Sequence, residues 1–184
     1  MKTFIAFIIV SLFSFQIKAE QQPKGNHISR ILGNSKDISL PNIATQDIRS
    51  VDWKAHKGII EVQVKEGGTE VFDIHHFWGY QQDDMDIYRF FEGTFYKVEQ
   101  MGKSWVYSQE NYVGASNNML YFFSETPESP IFWMSRQNLK MVFHENNCMM
   151  QHLEQLSWTK PIAAFSKKDK TFMIERWLDE CQPK

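Results

Sequence analysis

Short runs of Val, Ile, Phe, Tyr and Trp, separated by turn residues at intervals of about ten positions, extend through the middle of the chain. In the run 58–64, Ile60, Val62 and Val64 alternate with polar residues, which is the pattern of a strand with one buried face. The pattern predicts an antiparallel β-meander, which could curl into a barrel, over residues 51–134. Further runs of this kind lie at 69–80, 87–91, 95–100, 104–109, 119–124 and 131–134.

Residues 135–184 are expected to be mostly helical, because the apolar spacing changes after Ser135. Leu139, Val142 and Phe143 follow at i, i+3 and i+4, and serine is a residue type that caps helices. Asparagines at 146 and 147 are poor helix formers and should interrupt this helix. A second helical segment is then expected, with an apolar stripe formed by Met149, His152, Leu153 and Leu156.

The last segment, 171–181, has two interpretations. Helical spacing places Ile174, Trp177 and Cys181 on one face. However, basic residues precede this segment and acidic residues end it, the reverse of what the helix dipole favours. A strand over 172–177 therefore remains the alternative.

These patterns predict an α+β fold, in which an antiparallel β-meander is followed by C-terminal helices within one domain, 51–184. Residues 20–50 differ from that domain. They are polar, contain Pro23 and Pro41, and show no sustained period of two or of 3.6. We expect them to form an N-terminal arm or linker.

Residues 1–19 have the pattern of a secretory signal peptide. Lys2 precedes the apolar run 4–15, and residues 17–19 are acceptable to signal peptidase. The run is about 12 residues long, shorter than the roughly 20 that a membrane-spanning helix needs. We therefore expect cleavage after Ala19 and a soluble secreted or periplasmic product with no membrane span.

Composition supports a folded exported domain and argues against nucleic acid as a partner. Hydrophobic residues make up 42% of the chain, which is enough to bury a core, and the formal net charge is −2. The two cysteines, Cys148 and Cys181, would meet an oxidising compartment after export. We expect a disulfide between them that fastens the C-terminal segment to the preceding helix.

Histidines and carboxylates supply the candidates for a polar site. Asp73 and His75 share one side of the predicted strand 69–80 and could form an acid–base pair, although a structural role for the histidine is the simpler interpretation. His75 and its neighbour His76 would point to opposite faces of that strand and could not chelate one metal ion.

The segment His144-Glu145-Asn146-Asn147-Cys148 resembles the H-E-x-x-H zinc helix, with a cysteine in place of the second histidine. His152 continues the four-residue spacing, so a continuous helix would align three ligands. Two features favour a structural interpretation: export favours oxidation of the cysteine, and the asparagines weaken the helix. We therefore predict no metal or cofactor here.

Aromatic residues along the meander could form a binding face for a glycan or a peptide if they point outward. The alternative is a core and a ladder of cross-strand pairs, which needs no ligand. The residues concerned are Trp78, Tyr80, Tyr88, Tyr96, Trp105 and Tyr107.

Four short motifs carry a resemblance: FWGY at 77–80, YRFF at 88–91, LYFFS at 120–124 and NLK at 138–140. Over residues 70–145 the chain resembles a loose group of uncharacterised exported bacterial proteins. The resemblance supports the meander only, and it brings no activity or catalytic residue.

We therefore expect an exported, non-enzymatic binding or structural module. Its partner is undefined by the sequence, a glycan or a peptide being the two classes that an aromatic face would suit. The alternative function is a hydrolase or a metal-dependent enzyme that uses the histidines and carboxylates named above. Nucleophile elbows, phosphate-binding glycine loops and CxxC pairs are absent from the sequence.

Overall fold

The computed structural model describes residues 28–39, 48–65, 67–82, 85–113 and 116–182. The predicted signal peptide lies outside these residues. So do the parts 20–27 and 40–47 of the predicted arm.

An antiparallel sheet dominates the described residues, as the alternating pattern predicted. Ten strands pair in the order β10-β9-β8-β7-β6-β5-β1-β2-β3-β4. Each neighbouring pair is antiparallel. The strands are β1 (Ile28–Leu32), β2 (Ile48–Lys54), β3 (Ile59–Val64), β4 (Thr69–Asp73), β5 (Gly79–Gln82), β6 (Ile87–Phe91), β7 (Thr94–Met101), β8 (Trp105–Val113), β9 (Ser116–Ser124) and β10 (Phe132–Trp133).

The sheet is open, with β10 and β4 at its two edges, so the barrel that the pattern allowed is not formed. It is nevertheless strongly curled. Trp53 on β2 contacts Phe90 on β6, with ring centroids 5.6 Å apart, although β1 and β5 separate these strands in the sheet. Curling buries an apolar cluster on the inner face, which includes Ile48, Val51, Ile60, Val62, Phe77, Tyr80 and Phe90.

Three helices follow the sheet and cover one face of β8 and β9. They are α1 (Arg136–Val142), α2 (Asn147–Gln155) and α3 (Met173–Glu180), and a small hairpin of β11 (Phe165–Ser166) and β12 (Thr171–Phe172) precedes α3. This confirms the α+β fold class. The second core lies between helices and sheet and includes Val106, Phe123, Leu139, Met149, Leu153, Ile174 and Trp177.

The predicted helix boundaries are confirmed by the caps. Ser135 accepts a hydrogen bond from the backbone N–H of Asn138 at 3.2 Å, which begins α1. Asn146 accepts from the N–H of Met149 at 3.0 Å, so the interruption is the cap of α2. These caps explain why two short helices form here instead of one.

The C-terminal segment is the helix α3, despite its unfavourable charge order. The acidic residues at its C-terminal end have basic partners on other elements: Lys103 binds Asp179, and His152 lies 3.3 Å from Glu180. Glu175, in the first turn, has the favourable sign for the helix dipole. Tertiary contacts therefore offset what the local charge pattern opposes.

Part of the predicted arm belongs to the sheet, so the expectation of a linker is wrong for these residues. Strand β1 lies between β5 and β2, and Leu32 is fully buried. The apolar residues of β1 do not alternate, which concealed the strand. Arg30 is also buried, where it donates to the carbonyl oxygens of Asp37 at 2.7 Å and Ile38 at 3.1 Å. Strand β2 likewise begins at Ile48.

The predicted strand 69–80 is two strands separated by a turn. Strand β4 ends at Asp73, a 3₁₀ turn follows at Ile74–His76, and β5 begins at Gly79. The aspartate produces this break, because its side chain accepts a hydrogen bond from the backbone N–H two residues later at 2.8 Å. The two adjacent histidines therefore lie on a turn and not on a strand.

Candidate functional site

The acid–base pair predicted at Asp73 and His75 is not assembled. Both residues are exposed, and the Asp73 carboxylate is used as the cap of the 3₁₀ turn, where it binds the His75 backbone N–H and not the imidazole. No hydrogen bond or ion pair joins these two described side chains. The prediction was wrong because it assumed a continuous strand.

The three-ligand alignment of His144, Cys148 and His152 is also not formed. His144 follows α1, and its Nδ1 lies 3.0 Å from the Met141 carbonyl oxygen, while Cys148 and His152 are on α2 beyond the Asn146 cap. Glu145 forms an exposed contact with His144, with Nε2 and Oε1 3.6 Å apart. Because the chain breaks between α1 and α2, His144 does not lie on one helix with Cys148 and His152.

A different cluster forms around the cysteines. Cys148 and Cys181 form the predicted disulfide, which joins α2 to the end of α3 across a Cα–Cα distance of 5.5 Å. His152 lies beside this bridge: one ligand atom from each of the three residues falls within 4.8 Å of the others. We call these residues the Cys-His cluster. Sequence spacing indicated Cys148 and His152 on one helical face, and the predicted disulfide is what brings Cys181 to them.

Two residues of α3 hold the imidazole of the Cys-His cluster. The Trp177 indole stacks on the His152 ring with centroids 5.3 Å apart and planes inclined by 9°. The Glu180 carboxylate lies 3.3 Å from His152 Nε2. The His152 side chain retains 27% exposure, so the cluster is accessible from solvent.

Arg89 on β6 is a buried cation that was not predicted as a site residue. Its side chain is 3% exposed, and its Nη1 donates to the Tyr107 hydroxyl at 2.8 Å and to Ser124 Oγ at 3.3 Å. Nη2 donates to the Ser129 carbonyl oxygen at 2.8 Å. Among the described residues, no carboxylate pairs with this guanidinium. The charge is instead enclosed by the rings of Trp78, Phe91 and Tyr107, at 5.5–5.8 Å from Cζ.

The groups around Arg89 suit a structural role. Ser124 Oγ donates its proton to the Thr126 carbonyl oxygen at 2.6 Å. The residue is fully buried, so the hydroxyl is not accessible to a substrate. Burial raises the pKa of Tyr107 more than the nearby Arg89 charge and the hydrogen bonds lower it, so the phenol stays protonated. This network ties β6, β8 and β9 to the following loop.

The aromatic face predicted on the meander is mostly core. Trp78, Tyr80 and Tyr107 are buried, so the prediction of a binding face is wrong for them. The other three side chains are half-buried within ring pairs: Tyr88 stacks on Tyr80, Trp105 contacts Trp78, and Tyr96 contacts Phe122, with centroids 4.9–5.9 Å apart. The alternative interpretation, a ladder of cross-strand aromatic pairs, describes them.

Two other tryptophans are exposed. Trp158, after α2, is 88% exposed, and Trp133, on the edge strand β10, is 60% exposed. The Arg136 guanidinium lies over the Trp158 ring, 4.4 Å from its centroid. Arg136 is held in turn by the carbonyl oxygens of Leu153 and Leu156, at 2.9 and 2.7 Å. One indole face is therefore supported by a fixed cation while the rest of the ring meets solvent. We call the Arg136–Trp158 pair the tryptophan surface.

Trp133 does not share this surface. Its neighbour Phe132 packs on Phe123 in the core under the helices, so the side chain of Trp133 lies on the opposite face of the sheet. The sequence pattern contained one clue to this surface: Trp158 stands among Ser, Thr, Lys and Pro residues, outside any apolar period.

Among the helices of the described ranges, none combines the length and the apolar character required to traverse a lipid bilayer. The resemblance to exported bacterial proteins stays a prediction. No protein-family model matches the chain, and neither the curated proteins nor the solved structures gave a significant match.

Proposed function

We propose that this chain is an exported, non-enzymatic binding module that docks a polypeptide partner on the tryptophan surface. The observation that carries the proposal is the 88% exposed Trp158 indole, supported from behind by Arg136. Large aromatic side chains are normally used for the core, because burying one contributes several kcal/mol. An indole that is left in water yet held in place is therefore a feature of binding surfaces.

The residue types of this surface match those of binding hot spots in protein complexes. Tryptophan, tyrosine and arginine are the residues most enriched at such positions. Because Arg136 is already ordered by two carbonyl oxygens of α2, little conformational freedom is lost there when a partner binds. The tryptophan surface is thus organised in advance.

The charge beside Trp158 suggests the partner's chemistry. Lys160 follows the indole by two residues and is exposed, and Arg136 places a second positive charge behind the ring. An apolar side chain flanked by acidic residues would complement this arrangement. We therefore propose an acidic, apolar peptide segment as the ligand class.

The enzymatic alternative is less well supported. Its acid–base candidates, Asp73 and His75, are joined through a backbone cap, and His144 is separated from Cys148 by a helix break. A hydrolase would need such groups to face one another at hydrogen-bond distance. Neither pair does so.

Selection of random peptides displayed on phage against the exported protein tests the proposal. Bound peptides should be acidic and apolar, and Trp158→Ala should weaken their binding about 30-fold, which corresponds to about 2 kcal/mol. The matched control is Val71→Ala, which removes a 58% exposed apolar side chain from the opposite edge strand β4 and should leave Kd unchanged.

Two outcomes would contradict this function. Peptides that bind Trp158→Ala as tightly as the wild type would show that the tryptophan surface is not the docking site. Binding to a glycan array, with no peptide selected, would show that the tryptophan surface binds carbohydrate.

Export is tested separately by expressing the chain with residues 1–19 and sequencing the N-terminus of the product. A mature protein that begins at Glu20, outside the cytosol, is expected. Intact chain in the cytosol with free thiols at Cys148 and Cys181 would contradict the proposed location.

A further inference from the structure

We infer that the Cys-His cluster is a zinc site in its reduced form, and that the Cys148–Cys181 disulfide masks it. This site is independent of the tryptophan surface. Its basis is the convergence of two sulfur atoms and one imidazole nitrogen, all within 4.8 Å of one another, from two helices.

The donor set fits Zn²⁺ by chemistry and by size. Thiolate and imidazole are the ligands of structural zinc sites, where Zn–S distances of about 2.3 Å in a tetrahedron put two sulfur atoms roughly 3.8 Å apart. The cysteine Cα atoms, 5.5 Å apart, can support that separation once the S–S bond is broken. Side-chain rotation then supplies the change, with α2 and α3 left in place.

His152 is oriented for this role by its neighbours. The Trp177 ring, stacked at 5.3 Å, restricts its rotation, and Glu180 lies 3.3 Å from Nε2. If Nε2 binds the ion, the Glu180 carboxylate is next to the vacant fourth position. If Nδ1 binds it, Nε2–H donates to Glu180, the arrangement by which carboxylates orient metal-bound histidines.

The redox step balances as a thiol–disulfide exchange. A dithiol reductant gives two electrons and two protons to the Cys148–Cys181 bond and becomes a disulfide itself, which leaves two thiols on the protein. Zn²⁺ then binds as the two thiols lose their protons. In the oxidised protein neither sulfur carries the negative charge that zinc requires, so zinc affinity is expected only after reduction.

Metal titration of the full chain, with and without a phosphine reductant, tests this inference. The reduced protein should bind one Zn²⁺ per chain in native mass spectrometry. Co²⁺ in its place should show the thiolate charge-transfer band and the intense d–d bands of a tetrahedral site. The oxidised protein should show neither. Peptide binding at the tryptophan surface can fail without affecting this result.

Variants assign the ligands. His152→Ala should weaken Zn²⁺ binding by tenfold or more and change the Co²⁺ spectrum, because it removes the nitrogen donor. His144→Ala is the matched control: this exposed histidine is close in sequence, lies before α2, and should leave binding unchanged. Equal binding by wild type and His152→Ala, or equal loss in both histidine variants, would overturn the inference.

Reduction could loosen the helices, so a second measurement is made on the same samples. Zn²⁺ should raise the Tm of the reduced wild-type chain and not that of reduced His152→Ala. A reduced wild-type protein that shows neither the spectrum nor this rise in Tm would show that the disulfide is a structural bridge only.

Discussion

The Trp53 indole lies against the backbone of Gly93, so closely that a β-carbon added to the glycine would be 2.3 Å from Cη2 of the ring. Trp53 is on β2, and Gly93 is in the turn between β6 and β7. The contact joins two strands that are not neighbours in the sheet. It is therefore one of the contacts that hold the sheet in its curled form.

Gly93→Ala should destabilise the protein for two reasons. At φ +81° a side chain is strained, and the new methyl group would clash with Trp53. Gly67→Ala is the matched control, since this glycine has φ +94° but nothing within 4 Å of an added β-carbon. Urea unfolding should show a loss of about 1 kcal/mol for the control and about 3 kcal/mol for Gly93→Ala. Equal losses would mean that Trp53 moves aside without cost.

Much of the sheet could be predicted because its strands follow simple local rules. The run 87–91 matches β6 in full, and the predicted turn at Glu92 and Gly93 has positive φ at both residues, as a type I′ hairpin turn requires. Alternation over 58–64 likewise identified β3 to within one residue. In these segments local propensity and final packing agree.

Strand β1 could not be predicted, because its position depends on distant residues. Its buried arginine donates to backbone carbonyls that a following turn supplies. Its pairing with β5 joins residues about 50 positions apart in the chain, for example Ile31 with Tyr80. A short segment in which the apolar residues do not alternate does not contain that information.

The candidate sites show the same limit. The cysteine pair was predicted from the number of cysteines and the expected export, and its bridge is present. The approach of His152 to that bridge depends on the packing of α2 against α3, and the contact of Trp158 with Arg136 joins α1 to the segment after α2. Both sites are formed by contacts between separate elements, and such contacts cannot be predicted from the local sequence pattern.

Arg89→Ala should lower the free energy of unfolding by about 3 kcal/mol. The change removes hydrogen bonds made by a charged donor and leaves a cavity. These losses exceed the free energy that is recovered because a cation no longer has to be buried. Arg89→Met, which keeps an apolar stem without the charge, should recover at least half of that loss.

Arg49→Ala is the control for the arginine changes, because Arg49 is exposed on β2 and should alter stability by less than about 0.5 kcal/mol. Urea unfolding at neutral pH gives all three values. If Arg89→Met were as damaging as Arg89→Ala, the buried charge itself would be needed for the fold.

Glu175→Gln should detach the start of α3 from the sheet. The carboxylate accepts from the backbone N–H groups of Lys103 and Ser104, at 2.8 and 3.1 Å, in the turn between β7 and β8. An amide can accept through one oxygen only, and its NH₂ group would face a donor, so a loss of about 1.5–3 kcal/mol is expected.

Hydrogen exchange measures this detachment locally, because the Lys103 and Ser104 amides should exchange faster in Glu175→Gln. Glu154→Gln on the exposed side of α2 is the matched control and should change neither exchange nor stability. Unchanged protection in both variants would show that packing alone holds α3.

The buried tyrosines should make the protein sensitive to alkali. Burial raises the pKa of Tyr80 and of Tyr107 above the usual value, and burial with the nearby Glu92 charge does the same for Tyr96. In the unfolded chain the phenols ionise near pH 10. The folded protein then holds more protons than the unfolded one, so stability is full below about pH 10 and falls as the pH rises further.

Urea unfolding between about pH 8 and pH 11 measures this fall, and Tyr80→Phe should make it less steep because one shifted phenol is removed. Lys97 contributes with the same sign: burial lowers its pKa, but the hydrogen bond and charge of Asp86, together with the charges of Glu99 and Tyr88, raise it by more. Phe90→Leu is the control, since it weakens the same inner core without changing an ionisable group, and should lower stability equally at every pH. A slope that is the same in wild type and Tyr80→Phe would mean that this phenol ionises alike in the folded and unfolded chains.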